Sequence, residues 1–267
     1  MSKILEMSLS IILPTLDEKE NLEFLIPEIK KVLEKSIVNT YEIIVVDDSS
    51  KDGTAEFIKF LNKEDSRVKL ITRKEEKSLP KSIHEGIVSA RYQYVMWLDA
   101  DGSMDAVAVK KLINAQLSLP NSVIVGSRFV PDGGYKGIQK NEKFNFLKYI
   151  RGIANSEDSV LAIILSKYFN KIMGRILDIG VLDLTSGFIV GKKEYFIDDV
   201  YSNAAYGEYF LFLMKNLHHK NVDIKEVGYY CKPRYAGKSK TSTNYLVLLK
   251  LSVPYIKAAI NNKKKNI

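Results

Sequence analysis

Ile43-Ile44-Val45-Val46-Asp47-Asp48-Ser49-Ser50-Lys51-Asp52-Gly53-Thr54 is the stretch on which the fold turns. Residues 41–46 read as a strand, β-branched and apolar, whose carboxyl end runs straight into acids. Gly53 then punctuates the chain, and Thr54 is placed to cap a helix. Strand, polar loop, helix is the opening of a βαβ unit.

The same unit repeats on either side. Residues 9–13 read as a first strand, stopped by Pro14, and a helix over about 20–34 carries Leu22, Leu25, Ile26, Ile29 and Leu33 on one stripe. Strands are expected at 68–72, 94–98 and 123–125, with helices near 79–90 and 105–117 between them. Five strands by residue 127 predict an α/β fold, a Rossmann-like, mostly parallel sheet flanked by helices. Past Arg128 the pattern weakens. Pro131, Gly133, Gly134 and Gly137 mark a loop, and the polar stretch 136–156 reads as an insertion or lid. A helix over 159–176, a strand at 185–190, a helix at 208–217 and a strand at 222–229 follow. Residues 1–240 are thus expected as one domain, and 241–267 as a C-terminal amphipathic basic helix and tail.

Composition narrows the classes. With 46% apolar and 27% charged residues in 267, the chain is globular rather than disordered or fibrous and can bury a core without staples. Lys and Arg outnumber Asp and Glu, 40 to 32, and the net charge of +8 favours nucleic acid, anionic lipid or phosphorylated substrates. Basic residues are spread out with no aromatic-interleaved module, which argues against nucleic acid. Cys231 stands alone, so an internal disulfide framework is excluded and a reducing cytoplasm fits. The opening run 9–13 is too short and wrongly flanked for a signal peptide. No window reaches the roughly 18 apolar residues of a transmembrane helix; the nearest, 245–260, is broken by Lys250, Pro254 and Lys257.

Ligands of open α/β sheets sit at the carboxyl ends of strands, so residues just after each β run are examined first. Pro14-Thr15-Leu16-Asp17-Glu18, Asp47-Asp48-Ser49-Ser50 and Asp99-Ala100-Asp101 all qualify and are expected to face one crevice. An Asp-x-Asp turn can hold a hard divalent cation through oxygen, leaving positions for water and a diphosphate. Each piece also has a plainer reading. Asp47 and Asp48 can cap a helix, Asp99 and Asp101 can form a solvated turn, and Arg128 can pair with a carboxylate. Arg234 and Lys240 can be a solvated basic loop, and Asp183 can brace the turn before Thr185. His84 and His218-His219 lack partners at zinc spacing, and Trp97 reads as sheet core.

Taken in order, the run 43–54, Asp99-Ala100-Asp101, Gly126-Ser127-Arg128, Asp183-Leu184-Thr185-Ser186-Gly187-Phe188 and Pro233-Arg234-Tyr235-Ala236-Gly237-Lys238-Ser239-Lys240 resemble glycosyltransferase family 2, in its dolichyl-phosphate mannose synthase-like branch. The resemblance spans roughly residues 8–240 and implies a GT-A fold, a nucleotide-sugar donor and Mg²⁺ or Mn²⁺. It implies that Pro14, Leu16, Glu18, Val46 and Asp48 line the nucleoside pocket, with Asp48 accepting from a base N–H. By the same resemblance Asp99 and Ala100 are expected by the ribose and the metal, with Asp99, Asp101 and Ser103 as the expected metal ligands. The resemblance also implies that Arg128, Arg234 and Lys240 bind phosphates, which would supply the missing counter-charge. Asp101, Arg128 and Asp183 are marked for catalysis. Leu16 stands where the family usually carries an aromatic residue, Ser103 where it has Gln, Met104-Asp105 where it has His-Pro, and Lys167 where it has Arg.

The activity so implied is inverting transfer of a hexose, mannose or glucose, from a nucleotide diphosphate sugar to a polyprenyl phosphate. It is expected at the cytoplasmic face of a membrane, through peripheral contact or a membrane partner protein. A phosphate monoester has its second ionisation near pH ~6, so such an acceptor needs no general base. A glycan hydroxyl, the alternative acceptor, needs one, and Asp183 and Glu208 are the candidates. The 245–260 stretch reads either as a helix on an anionic membrane surface or as an ordinary packing helix. Outside the enzymes, Val45-Val46-Asp47-Asp48 also resembles the acidic pair of a receiver-type phosphoacceptor module.

Overall fold

The computed structural model describes residues 7–36, 38–135 and 160–237. Seven strands form one sheet. Chain order gives β1 (Met7–Thr15), α1 (Lys19–Glu34), β2 (Val38–Asp47), α2 (Thr54–Glu64), β3 (Val68–Thr72), α3 (Leu79–Ser89), β4 (Tyr94–Trp97), α4 (Ala106–Ser118) and β5 (Val123–Ser127). The short β6 (Gly134–Tyr135) follows, then α5 (Val160–Leu177), β7 (Ile189–Lys192), α6 (Tyr209–His219), β8 (Ile224–Gly228) and β9 (Tyr230–Cys231). Across the sheet the order is β3-β2-β1-β4-β7-β5-β8, with β7 alone antiparallel to its neighbours. β6 and β9 pair separately.

Strand alternation sorts the core into two layers. Leu9, Ile11, Leu13, Ile43 and Val45 point to the face covered by α1 and α4, where Leu22, Leu25, Ile29, Val109 and Leu112 are buried against them. Ile12, Ile44 and Val46 point the other way, toward α3 and α6. With both faces covered, β1 and β2 read as continuous apolar runs. Trp97 lies in this second layer, 1% exposed, and its indole N–H donates to the Tyr209 hydroxyl at 3.0 Å.

Several boundaries differ from the sequence expectation for visible reasons. Thr54 is not the cap of α2. The cap position is Gly53, in a left-handed φ of 87° and with no side-chain cap, and Asp52 just before it accepts from the Thr54 N–H at 3.0 Å and from the Lys19 N–H at the start of α1 at 2.9 Å. The strand expected at 185–190 begins only at Ile189, because residues 183–188 bond sideways instead. The Ser186 hydroxyl donates to the Gly126 carbonyl, and Gly187 takes a left-handed φ of 64°. The strand expected at 222–229 is β8, which ends at Gly228, where a Cβ would fall 2.1 Å from the Pro131 carbonyl oxygen of the crossing loop, and β9 begins past Tyr229. Residues 136–156, Lys240 and 241–267 lie outside the described residues. Among the described residues no helix is long and apolar enough to cross a membrane.

Candidate functional site

The carboxyl ends of β1, β2 and β3 are laced together before any side chain is considered. The Asp48 N–H donates to the Thr15 carbonyl and the Arg73 N–H to the Asp47 carbonyl. Asp17 and Ser49 adopt left-handed φ of 52° and 61°, and the two loops lock through Lys51 N–H to Asp17 Oδ1 and Asp17 N–H to Ser50 Oγ, both 2.7 Å. Asp47 turns back to the Ser50 N–H and braces its own loop, and burial pushes its carboxyl above the ordinary range. Asp48 is therefore the acid of the pair that reaches the cleft.

A cavity of about 160 Å³ opens there, between these loops, the end of β4 and the segment after β9. Pro14, Leu16, Glu18 and Asp48 line it, as do Asp99, Ala100, Asp101 and Arg234, so the three acidic segments do share one crevice. Leu79, Ser82 and Tyr206 complete the walls. Val46, expected in the wall, is instead packed beneath α3, where the space above Gly86 is filled by Ile12 and Val46.

At one end, Asp48 is held from both sides. Its Oδ1 accepts from Arg73 Nη1 at 2.5 Å and its Oδ2 from the Ser78 N–H at 2.6 Å. Arg73 is 4% exposed and also bonds Ser82 Oγ, the Glu76 carbonyl and Glu85. Each Asp48 oxygen retains a lone pair for a base N–H, and its direction is fixed by a buried guanidinium. Sequence reasoning missed Arg73, although it directly follows a strand and the same rule that found Asp48 applies to it.

At the other end the acids converge. Asp101 Oδ1 caps the Ser103 N–H at 2.9 Å, and its Oδ2 lies 3.4 Å from Arg234 Nη1. Arg234 Nη2 spans both oxygens of Glu18, at 2.5 and 2.7 Å. Ser103 is 8% exposed, and its carbonyl accepts from the Lys232 N–H. Asp99 is itself exposed to solvent, yet crowding by the surrounding protein and by the Asp101 carboxylate pushes its carboxyl up, to about 7, while Arg128 and Arg234 pull it down. Among the described residues no three His, Cys, Asp or Glu side chains gather closely enough to enclose an ion. What is present is two hard carboxylates with Glu18 nearby and a guanidinium as counter-charge. That set fits Mg²⁺ or Mn²⁺ held by one or two carboxylates, with water and phosphate oxygen completing the shell.

Arg128 and Asp183, expected to act separately, form a bidentate pair. Asp183 accepts from Arg128 N–H, Nε and Nη2 at 2.8, 2.9 and 2.8 Å, and from the Thr185 hydroxyl at 3.3 Å. It is fully buried. Arg128 Nη2 also bonds Thr185 Oγ1, which Asn170 of α5 steadies at 3.1 Å. The plainer reading of Arg128, a carboxylate partner, is thus realised, though with a buried acid rather than an exposed one. Glu208 is similarly occupied, its two oxygens accepting from the Ala205 and Tyr206 N–H groups at 2.6 and 3.1 Å. Both carboxylates proposed as bases for a hydroxyl acceptor are spent on holding backbone and Arg128.

Comparison with known proteins agrees with this geometry. The profile described as glycosyl transferase family 2 matches residues 10–199, well over half the chain. A dolichol-phosphate mannosyltransferase of Pyrococcus furiosus is 36% identical over 127 residues, covering 48% of this chain and 35% of that protein. One of Mycosarcoma maydis is 33% identical over 126 residues, covering 46% and 42%. The chain thus matches less than half the length of these curated relatives. Glucosyl-3-phosphoglycerate synthase of Mycobacterium tuberculosis, solved with UDP, superposes with a TM-score of 0.63 at 15% identity, covering 97% of this chain and 80% of that one. It has also been solved with Mn²⁺, UDP and glucosyl-3-phosphoglycerate. The likeness fixes the fold as GT-A. By the match across residues 10–199, this chain belongs to glycosyl transferase family 2.

Proposed function

We propose that the protein transfers a hexose from a nucleotide diphosphate sugar to a polyprenyl phosphate, with inversion at the anomeric carbon, at the cytoplasmic face of a membrane. The observation that carries the reading is the division of the cleft into a nucleoside end built on Asp48 and a diphosphate end built on Asp99, Asp101 and Arg234. Names of relatives point the same way, since two of them are dolichol-phosphate mannosyltransferases. Bound at Asp99 and Asp101, a divalent cation would offset the charge that builds on the departing nucleoside diphosphate.

The chain's own residues do the rest. Asp48, aimed by Arg73, accepts a base N–H and sets the donor's register. Arg234 supplies a guanidinium to the diphosphate. Arg128 has Nε and Nη2 committed to Asp183 and Thr185, which leaves Nη1 for the acceptor phosphate and fixes its direction. Asp183 is then a positioning residue for Arg128 rather than a base. An acceptor phosphate already anionic near neutral pH needs no proton removed, and the engagement of Asp183 and Glu208 favours that acceptor over a glycan hydroxyl. Lys240 is proposed as a further phosphate ligand and Ser103 as a further group at the metal. A receiver-type phosphoacceptor would have no use for the bonded Arg128, Asp183 and Thr185 group.

Calorimetric titration with UDP, GDP and their glucose and mannose conjugates, in Mn²⁺ and then in EDTA, tests the donor half. One base should bind in Mn²⁺, and both EDTA and Asp101→Asn should weaken it at least tenfold. Equal binding with and without metal would count against the assignment of Asp101.

A further inference from the structure

Residues 232–237 run back from β9 across the diphosphate end of the cleft and carry Arg234 with them. Their backbone is tied to the Asp-x-Asp loop, with the Lys232 N–H donating to the Ser103 carbonyl at 2.9 Å and the Tyr235 N–H to the Asp101 carbonyl at 3.1 Å. The far side is tied to α1. Asn21 Oδ1 accepts from the Ala236 N–H at 2.8 Å, and Asn21 Nδ2 donates to Glu18 Oε2 at 2.5 Å and to the Ala236 carbonyl at 3.3 Å. Beside it the Phe24 and Tyr235 rings stack at 4.2 Å with planes 6° apart.

One buried amide therefore bonds both the carboxylate that Arg234 touches and the backbone two residues beyond it. Asn21 is 3% exposed and does not line the cavity, so any effect it has on a ligand passes through Glu18 and Arg234. Its chemistry is specific. The position needs an acceptor for Ala236 and a donor for Glu18, which an amide has; a carboxylate would set a second negative charge against Glu18. Among the described residues the buried Arg234 Nε has no hydrogen-bond partner. A buried guanidinium N–H left unpaired marks a pose that an incoming oxyanion can improve.

We propose that Asn21, seconded by the Phe24–Tyr235 stack, is the positioning residue that registers the 232–237 strap against α1 and so delivers Arg234 to the donor diphosphate. The inference rests on the reading of Arg234 as the diphosphate ligand. The strap then acts as a fixed arm rather than a free loop, and its aim is set by a residue over 200 positions away in the chain.

The test uses the full chain, with UDP and GDP in Mn²⁺ as probes and amide hydrogen exchange of the 232–237 peptide as a second readout. Asn21→Ala should weaken nucleotide diphosphate binding about tenfold and speed exchange in the strap. Asn21→Ala combined with Arg234→Ala should bind no more weakly than Arg234→Ala alone, because the amide acts only through the arm. Phe24→Ala, a truncation of a half-exposed ring that leaves folding intact, should move both readouts the same way by a smaller factor. Wild-type affinity in Asn21→Ala, or a double variant that loses the product of the two factors, would overturn the proposal. Wild-type affinity in Arg234→Ala would instead show that the reading of Arg234 has failed, and the role of Asn21 with it.

Discussion

Asp99 is the residue whose charge state says most about the site. Its carboxyl rises from an ordinary 3.8 to about 7 through the surrounding protein and Asp101. A raised carboxyl means the folded state holds its proton more tightly than the unfolded chain does. The stability this adds is full below about pH 4 and is lost as pH rises through 7. Metal-free protein should therefore show a falling melting temperature between pH 5 and 8, flatter in Asp99→Asn. Mn²⁺ should reverse the fall at the upper end. A melting curve insensitive to pH over that range would contradict the charge crowding described. Arg73 makes a different case. Both it and Asp48 are almost wholly buried, so Arg73→Ala strands a carboxylate and should lower unfolding stability by about 3–5 kcal/mol in urea. Removing both partners should lose less. Asp48, Asp99 and Asp101 were legible because polar residues that follow a strand face the crevice, and Arg234 only through the family resemblance, whereas Asn21 sits inside a helix and shows its bonds only once residues 232–237 are seen to return to it.

Elements were legible where one physical signal decided them. The stripe of α1 and the apolar runs of the first five strands are burial patterns, and burial is what the sheet imposes. β7 was misplaced because residues 183–188 resemble a strand in composition while their side chains are committed to β5 and Arg128. Such commitments involve partners 55 and 60 residues away, which no local pattern carries. Packing also decides against local propensity at Gly86 in α3. Alanine is favoured over glycine in a helix by about 1 kcal/mol, yet a Cβ here would lie 2.4 Å from Ile12 Cγ2 in the middle of β1. Gly86→Ala should therefore destabilise, by about 1–3 kcal/mol as in other overpacked cores, and a raised melting temperature would show that α3 can lift from the sheet freely.

At the scale of the molecule, the mixed sheet gathers the ends of β1, β2 and β4 into one cleft, and the loop entering antiparallel β7 brings Asp183 to Arg128. The fold follows from that arrangement and the family from the match across residues 10–199, and the lipid phosphate acceptor is the proposal built upon them. Labelled nucleotide sugar, of the base selected by calorimetry, incubated with Mn²⁺ and either a polyprenyl phosphate or the matching polyprenol tests that proposal most directly. Transfer of label into the organic-extractable product with the phosphate alone, lost in EDTA and in Asp101→Asn, is the predicted result. Equal transfer to the polyprenol, or transfer only to a glycan hydroxyl, would contradict it.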